Sequence, residues 1–254
     1  MKPLPYQAII VDFDRTLLRT DKTVSEQTVN VLRAWQEAGA RLFAATARPE
    51  RAITTYCELI PFDAVTTLNG ARTIVGETVF ENPIPRASAE SVLAQLGCAE
   101  GMVISVETEQ GIYANEDIPL WAPVVTDRIQ QLPETHRIFK ILASHPEIPV
   151  DRIAVNLPED TYQTVADRKL LQYMGREATK WNGVRKMLEV FSIPAGQAVY
   201  FGDDNDDMEP IQRCGRGVAV RNAIAPVLEA ADEVTGSNDE DGVAVFLLGL
   251  LKNA

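Results

Sequence analysis

Two runs of acidic residues stand where two apolar segments of the sequence end. Asp12 and Asp14 follow the apolar run 8–11, and the run 203–207, which carries four carboxylates, follows the run 198–201. Residues two apart on extended backbone point the same way, so Asp12 and Asp14 can face one space. Carboxylates crowded together repel one another unless a cation or water separates them. Each run by itself therefore indicates either a divalent-cation site or a solvated loop.

Two further polar residues occupy comparable positions. Thr46 directly follows the apolar run 42–45, where a hydroxyl and a neighbouring amide can hold a phosphoryl oxygen. The simpler interpretation is that Thr46 caps a helix predicted to begin at Pro49. Lys180 opens another predicted helix, and a single lysine on a helix is ordinarily a surface residue. Neither residue indicates chemistry when it is considered alone.

The elements that must position these residues are alternating strands and helices at both ends of the chain. The continuous apolar runs 8–11, 42–45 and 64–68 are typical of strands buried on both faces. A helix is predicted between the first two runs, from its cap Ser25 to Gly39. The same rhythm returns in the last third of the chain. This alternation predicts an α/β fold with a Rossmann-like parallel-sheet core.

The middle of the chain differs from both ends. From about residue 81, prolines separate shorter strand-like segments, namely 102–107, 111–115, 139–144 and 161–166. We predict that residues 81–177 form an inserted α+β domain, while residues 1–80 and 178–254 form the α/β core. In an open parallel sheet, ligands bind beyond the carboxyl ends of the strands. Both acidic runs and Thr46 are therefore expected at one edge of the core sheet.

Composition limits the function further. The chain has 36 acidic and 24 basic residues, a net charge of −12, which disfavours a nucleic-acid polymer as partner because phosphate neutralisation needs basic residues. Its three cysteines form no CxxC pair, and its two histidines leave little for a zinc site or a serine–histidine triad. No apolar run has the length of a membrane span, so we expect no membrane partner and a cytoplasmic location. Oxygen ligands with scarce histidine and cysteine favour a hard ion, Mg²⁺.

Taken together, the motifs resemble those of the haloacid dehalogenase-like phosphohydrolase superfamily. The order is Asp-x-Asp at 12–14, then Thr46, then Lys180, then Gly-Asp-x-x-Asp-Asp at 202–207. Further similar stretches are Thr-Leu-Asn-Gly-Ala at 67–71, Gly-Val-Ala-Val at 217–220 with Asn-Ala at 222–223, and 235–243. The insertion lies between the threonine and lysine motifs, as in the family's Cof-type branch with a type IIB cap. The resemblance implies a core of this family and a cap that determines substrate specificity.

The resemblance also implies a reaction, the hydrolysis of small phosphate monoesters with Mg²⁺. It makes Asp12 the nucleophile that forms an aspartyl-phosphate, Asp14 the general acid and base, and Lys180 a catalytic group that restrains Asp12. The implied metal ligands are Asp12, Asp14 through its carbonyl, Asp203 and Asp207. The implied phosphate-binding positions are Phe13, Thr46, Ala47, Lys180 and Asp206. The expected partner is a small-molecule ester such as a sugar phosphate, a nucleotide or a cofactor phosphate.

Four residues depart from the family pattern. Arg15 and Ala47 stand where glycines are usual, Trp181 replaces a glycine after the lysine, and Asp206 replaces an asparagine. Asp206 adds an anion where phosphate is expected, which is unfavourable unless that anion is compensated. The alternative hypothesis is therefore a non-hydrolytic ligand sensor or interaction protein that keeps the acidic Mg²⁺ site. A signalling receiver domain also uses Asp, Thr and Lys around Mg²⁺, but it has no room for the insertion.

Overall fold

The strands and helices follow the predicted alternation in a computed structural model that describes residues 4–166 and 169–253. The strands are β1 (Ala8–Val11), β2 (Arg41–Ala45), β3 (Ala64–Thr67), β4 (Arg72–Val75), β5 (Thr78–Glu81), β6 (Val103–Thr108), β7 (Gly111–Ala114), β8 (Val124–Val125), β9 (Ile138–Ser144), β10 (Thr161–Ala166), β11 (Leu170–Gly175), β12 (Ala198–Gly202), β13 (Arg216–Ala219) and β14 (Glu233–Val234). The helices are α1 (Glu26–Glu37), α2 (Thr54–Leu59), α3 (Arg86–Leu96), α4 (Leu132–Thr135), α5 (Lys180–Val190), α6 (Met208–Arg213), α7 (Ala225–Ala230) and α8 (Gly242–Asn253).

The chain divides into two units. The core unit comprises residues 1–80 and 179–254, and the inserted unit comprises residues 81–178. Residues 1–3, 167–168 and 254 fall in these ranges but lie outside the described residues. That the inserted unit determines substrate specificity stays a prediction.

The core unit is built on an eight-stranded sheet in the order β14-β13-β12-β1-β2-β3-β4-β5. The first six of these strands run parallel, and β4 pairs antiparallel with β3. Along β1, Ile9 and Val11 enter one buried apolar cluster while Ala8 and Ile10 enter another. Both faces of the central strand are thus covered, which explains its uninterrupted apolar sequence. The predicted α/β parallel-sheet fold is confirmed.

Local signals fix the ends of the helices that matter for the site. Ser25 caps α1 by accepting a hydrogen bond from the amide of Thr28, and Gly39 follows the helix with φ +104°. Thr179 caps α5 in the same way, through the amide of Asn182. The expectation for Pro49 is wrong in detail, because residues 50–52 form one 3₁₀ turn and α2 starts only at Thr54.

The inserted unit has a six-stranded sheet in the order β10-β11-β9-β6-β7-β8. Alternate residues of its central strands, such as Ile104, Val106 and Ile141, pack in a buried cluster with Val92 and Leu93 of α3. The four strand-like segments predicted here are strands, whereas α3 and β11 have no counterpart in the prediction. In the two ranges that the structure covers, no helix has the length and apolar character needed to cross a membrane.

Candidate active site

The ends of β1 and β12 bring the two acidic runs of the sequence together. The strands are parallel neighbours with Val11 opposite Phe201, and the amide of Asp12 donates to the carbonyl of Phe201 at 3.0 Å. One carboxylate oxygen from each of Asp12, Asp203 and Asp207 lies within 4.8 Å of the others. Asp12 lies 191 positions before Asp203 in the sequence, and the two meet because parallel neighbouring strands end at one edge of the sheet.

Lys180 lies among these carboxylates and is only 3% exposed. Its Nζ is 2.8 Å from Asp12 Oδ1, 2.7 Å from Asp207 Oδ1 and 3.3 Å from Asp206 Oδ2. Burial by itself would lower the pKa of Lys180, but the nearby carboxylates outweigh it and hold that pKa well above its usual range. The ammonium is therefore a permanent positive charge in the cluster, and the surface interpretation of this lysine is wrong.

A tight turn positions the start of α5, and with it Lys180. Gly70 has φ +100°, and a Cβ atom on it would lie 1.9 Å from the carbonyl oxygen of Thr179, the cap of α5. Only glycine permits this approach. The preceding Asn69 donates from Nδ2 to Asp206 Oδ2 at 2.7 Å. Asn69 is thus a site residue without an assigned role in the sequence analysis, and the Asn-Gly pair after a strand is the signal that marks it.

Asp207 is fully buried, and its carboxylate accepts hydrogen bonds from four donors. Its Oδ1 accepts from the Tyr200 hydroxyl at 2.5 Å and from Lys180, and its Oδ2 accepts from the amides of Asp203 and Asp204 at 3.0 and 3.1 Å. Four donors occupy the lone pairs of a carboxylate. Asp207 consequently holds the 203–204 backbone and Lys180 in place, which favours an indirect contribution to metal binding. Tyr200, within an apolar strand, is a second residue that the sequence analysis missed.

Asp12 and Asp203 carry the remaining ligand capacity of the cluster. Burial raises the pKa of Asp203 to about 7, with a further increase from Asp207 and an opposing effect of Lys180. Burial also raises the pKa of Asp12 well above its usual range, since the effect of Lys180 does not fully offset it. Buried carboxylates that resist ionisation gain most from a cation. Oxygen donors of this kind and spacing fit a hard divalent ion such as Mg²⁺.

The side chain of Asp14 lies apart from this cluster, in contact with two cations. Arg48 binds it with both Nε and Nη2, at 2.6 and 2.7 Å, and Lys22 Nζ lies at 2.8 Å. Burial would raise the pKa of Asp14, but the hydrogen bonds from Arg48 and Lys22 outweigh it and lower the pKa to about 2. Among the described residues, the acidic cluster comprises Asp12, Asp203 and Asp207 but not Asp14, whose carboxylate is bound by Arg48 and Lys22.

The predicted phosphate-binding positions differ in which of their groups, side chain or backbone, can reach a ligand. Thr46 is buried, and its Oγ1 accepts from the amide of Arg48 at 3.1 Å, so the hydroxyl hydrogen is available to donate. It does not cap a helix starting at Pro49. The Phe13 ring is buried against Tyr56, with ring centroids 5.5 Å apart, so only its backbone can contribute to a ligand site. Ala47 lies in the same loop as Thr46.

Two of the departures from the family pattern have clear surroundings. The Trp181 ring packs against the second apolar cluster of the core unit and lies beneath the Arg213 guanidinium, 5.4 Å from its Cζ. Arg15 adopts φ +60° and places its Nε 3.7 Å from Asp203 Oδ2. Trp181 is thus a packing residue, whereas Arg15 adds a positive charge at the acidic cluster.

Comparison with known proteins agrees with this geometry. A family model described as haloacid dehalogenase-like hydrolase matches residues 9–247, so the chain belongs to that family. YxeH of Bacillus subtilis strain 168 is 28% identical over 260 residues, covering 94% of this chain and 96% of YxeH. The 5-amino-6-(5-phospho-D-ribitylamino)uracil phosphatase YitU of the same organism is 25% identical over 268 residues, covering 97% of this chain and 98% of YitU.

A solved structure gives the same result for the fold. That of the HAD subclass IIB sugar phosphatase BT4131 matches with a TM-score of 0.79 at 21% identity, covering 96% of this chain and 99% of BT4131. The resemblance inferred from the sequence motifs is confirmed, and with it the expectation of a hydrolytic enzyme.

Proposed function

We propose that this protein is a Mg²⁺-dependent phosphatase that hydrolyses small phosphate monoesters through an aspartyl-phosphate on Asp12. The observation that carries the proposal is the pairing of Asp12 with Lys180 beside Asp203. The names of two similar proteins support the substrate class, since BT4131 is a sugar phosphatase and YitU acts on a ribitylamino-uracil phosphate.

Asp12 is the proposed nucleophile. Lys180 binds its Oδ1 at 2.8 Å, which fixes the carboxylate and leaves Oδ2 as the atom that attacks phosphorus. A carboxylate approaching a phosphate dianion meets strong repulsion, which Lys180 offsets in part. Bound Mg²⁺, held by Asp12, Asp203 and the Asp14 carbonyl with Asp207 behind them, would supply the remaining positive charge.

The phosphoryl oxygens would be held by a set of donors. Thr46 has a hydroxyl hydrogen available, and Lys180 has the charge. The backbone amides of Phe13 and Ala47 are the other proposed donors. The inserted unit is proposed to determine which phosphate ester is accepted as substrate. Asp206 bears a carboxylate and cannot donate to phosphate while ionised, so its role requires a separate explanation.

Asp14 is the proposed general acid and base, and its surroundings set a condition on that role. A carboxyl group with a pKa of about 2 carries no proton at neutral pH and cannot protonate a leaving oxygen. During the catalytic cycle the Asp14 carboxyl must therefore leave Arg48 and Lys22 and contact the reacting oxygen instead. As a base that activates water, the ionised form already suits the second step.

Phosphate release from a panel of phosphate monoesters tests this function. We expect activity with Mg²⁺, none with chelator, and a loss of at least about a thousandfold in kcat for Asp12→Asn, as for removal of other nucleophiles. Asp63→Asn, which removes a carboxylate that pairs with Arg41 at the opposite end of β2, is the charge-matched control. Absence of turnover with any ester, together with Mg²⁺ and ligand binding, would favour the sensor hypothesis instead.

A further inference from the structure

The charges of the acidic cluster do not balance with Lys180 and one divalent ion. Asp12, Asp203, Asp206 and Asp207 bring four carboxylates, and Lys180 contacts three of them. With a divalent ion bound and all four carboxylates ionised, the cluster and Lys180 together would carry one net negative charge. A phosphate dianion entering such a site would be repelled. A further positive charge beside the cluster would reduce this repulsion.

Arg15 is placed to supply that charge. Its Nε approaches Asp203 Oδ2 at 3.7 Å, while its side chain remains 55% exposed. Two reciprocal hydrogen bonds fix the residue: its Nη2 donates to the carbonyl of Asn222 at 3.0 Å, and Asn222 Nδ2 donates to the Arg15 carbonyl at 2.7 Å. These contacts hold a left-handed backbone that a non-glycine residue rarely adopts.

Asp206 is the carboxylate that creates the excess. Its Oδ2 accepts from Asn69 Nδ2 at 2.7 Å and faces Lys180 Nζ at 3.3 Å, with 26% of the side chain exposed. Both donors address the same oxygen of Asp206. Lys180 is already bound at shorter distances by Asp12 and Asp207. Asp206 therefore adds negative charge without being needed to hold the lysine.

We propose that Arg15, through its approach to Asp203, compensates the negative charge that Asp206 adds to the cluster, and that the two residues together set how strongly the site binds phosphate relative to Mg²⁺. The inference rests on the proposed function, because it assigns the anion as the phosphate group of the substrate. Arg15 attracts phosphate and competes with the metal for Asp203, whereas Asp206 repels phosphate and favours the metal. Removing either charge alone should therefore strengthen the binding of one ligand, Mg²⁺ or phosphate, and weaken that of the other. Removing both charges should return both affinities to near their original values.

The test measures two affinities in four proteins: the wild type, Arg15→Gln, Asp206→Asn and the double variant. Mg²⁺ binding is measured by calorimetry without substrate, and inorganic phosphate binding by calorimetry with saturating Mg²⁺. For Arg15→Gln we expect Mg²⁺ to bind about three- to tenfold more tightly and phosphate about three- to tenfold more weakly at low salt. Asp206→Asn should show the reverse, and the double variant should lie close to the wild type.

Two controls separate charge from structure. Arg15→Lys keeps the charge and should retain both affinities within about threefold. Arg33→Gln removes the same charge from the exposed face of α1 and should change neither. The proposal is overturned if Arg15→Gln weakens the binding of Mg²⁺ and phosphate together or leaves both unchanged. It is also overturned if Asp206→Asn shifts the two affinities in the same direction as Arg15→Gln.

The same data distinguish this inference from the proposed function. One outcome is that the variants show opposed shifts in Mg²⁺ and phosphate binding while the protein releases no phosphate from esters. That result would support the roles proposed for Arg15 and Asp206 and contradict the phosphatase assignment. If the wild type hydrolyses esters but the variants lack the opposed shifts, the phosphatase assignment is supported and the roles proposed for Arg15 and Asp206 are contradicted.

Discussion

At the scale of single residues, the site depends on how each carboxylate is paired. Asp207 is saturated by four donors, Asp12 shares Lys180, and Asp14 is held by Arg48 and Lys22. One residue type thus provides a structural hub, a candidate nucleophile and a strongly acidic group. The hydrogen-bond partners of each carboxylate separate these roles.

Replacing Arg48 with glutamine is expected to raise the pKa of Asp14 from about 2 toward its ordinary value. Because the folded-state pKa is lowered, this pairing stabilises the native protein above about pH 4 and ceases to do so as pH falls through about 2. The Asp14 carboxylate is 39% exposed, so solvent screening reduces the expected loss for Arg48→Gln to about 1 kcal/mol at pH 7. Carboxyl NMR titration and urea unfolding at pH 7 and pH 2 measure both effects.

The control for this prediction removes the other partner. Lys22→Gln deletes the more exposed of the two cations and should raise the pKa of Asp14 by less than Arg48→Gln does. An unchanged Asp14 titration in Arg48→Gln would contradict the assignment of this ion pair.

At the scale of elements, the position of Lys180 depends on how the Asn69-Gly70 turn packs against the start of α5. Thr179 caps the helix through its side chain, and its carbonyl oxygen receives the close approach of Gly70. A polar turn and a helix cap therefore act together to place one ammonium group.

Gly70→Ala is expected to destabilise the protein by about 2–4 kcal/mol, because the new methyl group would overlap the Thr179 carbonyl. It should also lower kcat, since α5 must shift and Lys180 with it. Gly39→Ala is a matched control: Gly39 has φ +104°, near the +100° of Gly70, but open space around a Cβ atom. It should cost only about 1–2 kcal/mol from backbone strain and leave kcat unchanged. Thermal unfolding and steady-state kinetics on both variants provide the measurement. Equal losses of stability and of kcat in Gly70→Ala and Gly39→Ala would contradict the packing argument.

At the scale of the whole molecule, the acidic cluster makes metal-free stability depend on pH. The pKa of Asp203 is raised to about 7 in the folded state against an ordinary 3.8. The unfolded chain therefore loses this proton first, and the group destabilises the native state progressively as pH rises from about 4 to 7. Mg²⁺ binding favours the ionised carboxylates and opposes this loss.

We expect this group to lower the free energy of unfolding by about 3 kcal/mol between pH 4.5 and pH 7.5 in chelator. Saturating Mg²⁺ should recover most of that difference at pH 7.5. Asp203→Asn, which cannot ionise, should show a smaller pH dependence and little stabilisation by Mg²⁺. Urea unfolding at both pH values, with and without Mg²⁺, provides the measurement. A wild type whose pH dependence matches that of Asp203→Asn would contradict the raised pKa.

The sequence by itself determined the parts of this protein that depend on local patterns. Uninterrupted apolar runs identified strands buried on both faces, Ser25 and Gly39 marked the ends of α1, and the ordered Asp, Thr, Lys and Asp motifs identified the family. Only the tertiary structure decided which partner each polar group takes. That Asp14 pairs with Arg48, that Lys180 binds both Asp12 and Asp207, and that Arg15 approaches Asp203 are contacts between distant segments. No local pattern specifies them, because a side chain's partners and pKa follow from packing between elements rather than from its neighbours along the chain.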